Sequence, residues 1–191
     1  MSSKGKNATK MLTTCALMAA LSVVLARLLI PMPNATTRFS IEAVPVFIAG
    51  MLYGPVAGAL VGFVSDLVGC LFSAYGYNPL FCLPPILYGL CAGLFRPLLR
   101  RKCSLWSIAL AFLPAVSLGS VLWQSFALAW VYGNEGLWPS FVGFLTSRGI
   151  QFSITFVLDV LIVYLLYRSH IFSAAKLWPP VRKKEKPNDR Q

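Results

Sequence analysis

Long apolar runs separated by short polar clusters set the pattern of this chain. Met11 to Ile30, Pro55 to Phe72, Leu80 to Phe95, Leu105 to Val131 and Phe141 to Tyr167 approach or exceed the roughly 20 residues that cross a bilayer core. Ile41 to Tyr53 makes a sixth, shorter run. The pattern predicts an all-α integral membrane protein, a compact bundle of about six transmembrane helices.

Prolines and glycines mark the expected boundaries. The first helix, about Met11 to Ile30, stops at Pro31-Met32-Pro33, and Asn34 to Arg38 forms a short polar loop outside. The second, about Ser40 to Tyr53, is too short to cross alone at about 1.5 Å per residue. Gly54-Pro55 then makes a tight turn into a third helix, about Pro55 to Phe72, followed by the outer loop SAYGYNP. A fourth helix runs from about Leu80 to Leu99, with Pro84-Pro85 expected to break or kink its first turns. The fifth, about Ser104 to Val131, should be interrupted or bent near Pro114; a loop from Tyr132 to Pro139 leads to the sixth. Residues 1–10 are expected as a cytoplasmic N-terminal segment, 11–168 as the six-helix membrane domain and 169–191 as a basic cytoplasmic tail. The N-terminus has the look of a signal peptide, but its apolar run continues to Pro31 and favours an uncleaved first helix.

Within these runs one spacing stands out. Gly50, Gly54, Gly58, Gly62 and Asp66 follow at steps of four, divided at Pro55 between the second and third helices. Small residues at that interval let helix backbones meet at van der Waals distance in lipid, so the stripe reads mainly as packing. Asp66 does not: a carboxylate within hydrocarbon costs several kcal/mol unless paired or wet, so it must face the bundle interior or a cavity.

Composition sharpens this picture. Of 191 residues, 57% are hydrophobic and 12% charged, against about 25% charged in an ordinary soluble domain. The net charge of +11 is not a nucleic-acid signature, because 14 of the 17 basic residues fall on one side of the threading. They precede the first helix, separate the fourth from the fifth and follow the sixth, which places both termini in the cytoplasm and lets the tail attract anionic lipid of the bilayer. The five cysteines lack CxxC spacing and His170 is the only histidine, so no metal is expected. There is no HExxH, GxSxG or phosphate-binding loop, so neither an enzyme nor a resident cofactor is expected.

The polar groups at membrane depth carry the functional reading. Arg27 can snorkel outward, Arg38 and Glu42 stand four apart and can satisfy each other, and Asp159 can pair on the cytoplasmic half. Threading nevertheless brings Arg38, Tyr75, Tyr77, Asn78, Trp123, Gln124, Trp138 and Arg148 to the outer half or its loops. Aromatics there also suit an interfacial belt, the preferred reading of Trp106, Trp130 and Trp178. Trp123-Gln124 lies several residues inside the fifth helix and fits a pocket better. Such a pocket suits a planar heteroaromatic with an anionic end, stacked on indole and gripped by arginine.

The order of features resembles a known family. A basic N-terminus precedes Ala16-x-x-x-Ala20; then come RFSIEAVPVFIAGMLYGPVAGALVGFVSDLVG, AYGYNP, LWQSFALAWVYG and SRGIQF. This is similar to the substrate-binding S components of energy-coupling factor (ECF) vitamin transporters, most closely the folate-specific ones, over about Thr9 to Tyr167. The resemblance implies an outward-facing vitamin site in the bacterial plasma membrane, with the loop between helices one and two as part of a lid. It implies a membrane coupling subunit and two cytoplasmic ATPase subunits as partners, the former packing on the flat face left by Ala16 and Ala20. By position, Trp123 would stack on a pterin, Arg38 would meet a glutamate carboxylate, and Gln124 and Asp66 would read the pterin edge. Arg148 would take the anionic end or pair with Asp66. Alternatives are an S component for another vitamin or precursor, and a non-transporting membrane scaffold whose buried charges are structural pairs.

Overall fold

The computed structural model describes residues 3–27, 30–31, 38–39, 41–72, 78–101, 103–133 and 136–169. These form α1 (Ser3–Arg27), α2 (Ala43–Tyr53), α3 (Pro55–Leu71), α4 (Leu83–Leu94), α5 (Arg96–Arg101), α6 (Leu105–Pro114), α7 (Gln124–Tyr132) and α8 (Leu137–Arg168). A 3-10 turn, Pro79–Phe81, precedes α4, and a π-helical stretch, Ala115–Trp123, joins α6 directly to α7. Between α1 and α2 the chain makes a minimal antiparallel pairing, Ile30 with Phe39 and Pro31 with Arg38. Residues 8–26 of α1, the continuous rod 105–132 and α8 are each long and apolar enough to cross a bilayer.

The short α2 is the core of the bundle. At 11 residues it spans only about 17 Å, and every residue from Ala43 to Leu52 is buried. It packs against α1, α3, α4 and α8. Phe47 stacks on Phe112 of α6 with centroids 3.9 Å apart and planes 9° from parallel, and Tyr88 of α4 meets Phe112 edge-on at 5.9 Å. At its C-terminal end Arg96 Nη2 donates to the Leu52 carbonyl at 2.6 Å, supplying a partner for a helix-end acceptor that lacks one. Gly54 turns the chain with φ 104°, a conformation that strains any residue with a Cβ, and Pro55 starts α3.

Two expected helices are divided. Pro84 and Pro85 do not break α4; both lie in its first turn, where a missing N–H has no intrahelical acceptor to disappoint. The break comes later, at Phe95, because Pro97 cannot donate back along the helix and α5 starts afresh. At Pro114 the helix widens rather than stopping: the nine residues Ala115–Trp123 are π-helical, and Ser117 Oγ donates to the Leu113 carbonyl at 2.8 Å. The first helix begins at Ser3, so most of the basic segment expected ahead of it is its opening turns.

Candidate ligand-binding site

The glycine stripe opens onto the first piece of the site. α3 and α4 run antiparallel in such close register that a Cβ on Gly58 would strike the Gly89 carbonyl, and one on Gly89 the Gly58 carbonyl. One on Gly62 would strike the Pro85 carbonyl, and one on Gly93 would strike Pro55. Asp66 continues the same face by one turn and hydrogen-bonds the Cys82 side chain, at the head of α4. Its Oδ2 is buried with no hydrogen-bond partner. The spacing of four therefore ends on a carboxylate because the last step of the seam leaves room for a thiol and an oxygen instead of a backbone.

Just ahead of α4 the 3-10 turn is held by side chains. Asn78 Oδ1 accepts the Leu80 N–H at 3.1 Å, and the Leu80 carbonyl accepts Trp123 Nε1–H at 2.8 Å. Trp123 is the last residue of the π stretch, and its indole stands 6.4 Å from the Phe126 ring. It lines a cavity of about 360 Å³ with Leu118, Leu122, Phe126, Leu137, Trp138 and Phe141. The walls are apolar and aromatic, and the cavity opens at the flank of the bundle, where Leu118, Leu122, Phe126 and Trp138 are exposed. Its indole faces suit one side of a flat ring.

A polar stripe descends α8. Arg148, Gln151, Thr155 and Asp159 are spaced by three and then four, so they share one face. The Arg148 guanidinium lies 5.8 Å from the centre of the Phe152 ring, within cation–π range. Among the described residues no carboxylate pairs with it. Gln151, Thr155 and Asp159 are buried, Asp159 to 1% exposure, and its Oδ1 has no hydrogen-bond partner. Glu42, at the head of α2, reaches Asp159 electrostatically. Across from the stripe Tyr88 Oη and Ser120 Oγ share a buried hydrogen bond of 2.8 Å. Ser22 Oγ donates to the Glu42 carbonyl at 2.8 Å, and Ser125 Oγ on α7 is fully buried with no hydrogen-bond partner.

Of the residues proposed from sequence, Trp123 and Trp138 face one cavity, and Asn78 is joined to Trp123 through Leu80. Gln124 follows at the start of α7, half-buried. Asp66 and Arg148 are held apart on separate partners, Cys82 and Phe152. The Arg38 side chain and Tyr77, with Tyr75 and residues 170–191, lie outside the described residues. Ala16 and Ala20 are exposed on α1, while Ala19 and Ser22 turn toward the bundle. Among the described residues no group of His, Cys, Asp and Glu side chains gathers that could hold a metal ion.

Sequence reading passed over Tyr88, Ser120, Ser125, Gln151 and Thr155. The last two had a usable signal, since polar residues three and four apart around Asp159 mark an inward face in an otherwise apolar run. Tyr88 and Ser120 had none, because the bond joins positions 32 residues apart.

Comparison with known proteins bears on the chain as a whole. The model of a family described as ECF-type riboflavin transporter, S component, matches residues 6–168. The folate transporter FolT of Leuconostoc mesenteroides subsp. mesenteroides is 25% identical over 170 residues, covering 86% of this chain and 88% of that protein. A crystal structure of FolT bound with folic acid superposes with a TM-score of 0.68 at 26% identity, over 82% of this chain and 92% of that one. The S component for biotin from an ECF-type ABC transporter superposes with a TM-score of 0.59 at 19% identity, over 88% and 95%. That last likeness is one of fold.

Proposed function

Because the chain belongs to the family of ECF-type transporter S components, a family of multi-pass membrane proteins and not of enzymes, we propose that the vitamin it binds is folate. The observation that carries this reading is the aromatic-walled cavity at Trp123 and Trp138, and further along α8 stands a guanidinium, Arg148, that no carboxylate among the described residues pairs with. Trp123 and Trp138 offer indole faces to a flat ring, and Arg148 has no carboxylate among the described residues. Folate needs both features: a pterin to stack and a glutamate tail to neutralise. The folate-bound FolT structure, similar over most of both chains, supports the same choice.

In this reading Trp123 stacks on the pterin, Gln124 and Asp66 read its edge, and Arg148 and Arg38 meet the carboxylates. Tyr77 joins them as a ligand contact, and Asn78 supports the site through Leu80. The termini are cytoplasmic and the bilayer is the bacterial plasma membrane. A membrane coupling subunit packs on the Ala16/Ala20 face of α1, whose outward exposure leaves it available, and two ATPase subunits drive transport.

Riboflavin is the second reading, favoured by the description of the matching family. Its ring would stack equally well, but its neutral ribityl chain offers Arg148 hydroxyl acceptors and no anion to pair with. Titration of the purified protein with folate, riboflavin and biotin, followed by calorimetry, separates the two. Folate should bind in the nanomolar range, unaffected by excess riboflavin, and Trp123→Ala should weaken it by about 30-fold or more. Tight riboflavin binding that folate does not displace would replace the first reading with the second.

A further inference from the structure

We infer that Asn78 positions the ligand-stacking indole of Trp123, acting through the backbone of Leu80; the inference rests on the stacking role proposed for Trp123. Leu80 is held at both ends. Its N–H is taken by Asn78 Oδ1 at 3.1 Å and its carbonyl by Trp123 Nε1–H at 2.8 Å. Pro79 has no N–H, so Leu80 presents the first backbone donor that the Asn78 side chain can meet. Fixing that N–H fixes the 3-10 turn, and the turn aims the Leu80 carbonyl across to a residue 43 positions away.

The indole needs such a tether. It projects from the end of a π-helical stretch, over an open cavity lined by leucine, phenylalanine and tryptophan, side chains that carry no hydrogen-bond acceptor. Indole has a single donor. With that donor spent on Leu80, Trp123 offers the ligand a ring face in a set orientation, and the polar edge of the ligand must be read by other groups. Holding the ring before the ligand arrives removes an ordering cost from binding. Asn78 is thus a positioning residue, and its own side chain oxygen faces the protein backbone.

The test uses the full-length protein in detergent with ¹⁵N-labelled tryptophan indoles. The Trp123 signal is identified by its loss in Trp123→Phe, and exchange of its N–H with water is measured without ligand. Protection in the wild type, an acceleration of about tenfold or more in Asn78→Ala, and recovery in Asn78→Asp, which keeps the acceptor, is the expected result. Folate affinity should fall about tenfold in Asn78→Ala and recover in Asn78→Asp. In the Trp123→Phe background, which keeps a ring but no donor, Asn78→Ala should cause no further loss. Unchanged indole exchange in Asn78→Ala overturns the inference, as do losses of affinity that simply add. The exchange arm needs no ligand, so a wild type that binds no folate while showing the protected, Asn78-dependent signal refutes the folate reading and leaves the tether supported.

Discussion

Where α3 crosses α4, backbone meets backbone; where α8 passes the π stretch, buried oxygens are left without partners. The first region is closed by Gly58, Gly62, Gly89 and Gly93, each lacking the Cβ that would hold the helices apart. The second keeps Gln151, Thr155, Asp159, Ser120 and Ser125 out of water, with Asp159 Oδ1 and Ser125 Oγ unsatisfied. In a bilayer, association gains little from apolar burial, so close packing is what holds the first region together. Orphaned polar atoms cost stability and persist where a function requires them. One part of the bundle is a closed frame, and the other keeps polar groups inside an apolar interior.

The sharpest way to break this contrast is to insert volume into the frame. Gly89→Val drives a branched side chain into the Gly58 carbonyl, and neither helix can retreat without parting from α2, which packs on both. We expect a loss of about 3 kcal/mol, at the upper end for overpacking, seen as a collapse of monodisperse protein in detergent and a lower denaturation midpoint. A valine tolerated there at no cost would show that the seam is looser than its backbone distances imply.

A smaller effect, of opposite sign, is expected on the other side. Asp159→Asn preserves volume at a site exposed to 1% and removes a group that can carry charge in the field of Glu42. The substitution should stabilise the folded protein by about 1 kcal/mol, because a carboxylate without its full set of partners is replaced by a neutral amide. Thermal unfolding in detergent measures it. A loss of 2 kcal/mol or more, estimated from the cost of breaking a buried charged contact, would mean that Asp159 is held by a partner and belongs with the frame.

The two regions also differed in how far the sequence disclosed them. The frame was legible: steps of four from Gly50 to Gly62 are a local signal, and packing is a local consequence of it. The Gly54-Pro55 turn was legible for the same reason, since one residue must adopt positive φ and the next starts a helix. Trp123-Gln124 could be singled out as polar and aromatic groups within an apolar run. What they bond to could not. The acceptor for Trp123 is a main-chain carbonyl, which every residue has and no residue type advertises. Register between distant helices decides which carbonyl that is. The π stretch was hidden too: Pro114 announced a disturbance, yet whether a helix bends, stops or widens depends on neighbours such as Pro84 and Leu87, which crowd Gly119. The division of α4 from α5 was missed because Pro84-Pro85 drew the expected break to the wrong end, although Pro97 stood in plain view.

The finest test weighs a single hydroxyl pair in the polar region. Tyr88→Phe removes one side of a 2.8 Å bond and strands Ser120 Oγ at 1% exposure, so it should cost about 1 kcal/mol. Ser120→Ala should cost a similar amount by stranding the phenol. The double substitution leaves neither group orphaned and should cost less than the two together, giving a favourable coupling of about 1 kcal/mol in a double-mutant cycle. Tyr88 also touches Phe112 edge-on, and a phenylalanine preserves that contact, which keeps the cycle confined to the hydroxyls. Additive losses would mean that each hydroxyl has a second partner already, and the polar region would then be better satisfied than its unpaired Asp159 Oδ1 and Ser125 Oγ imply.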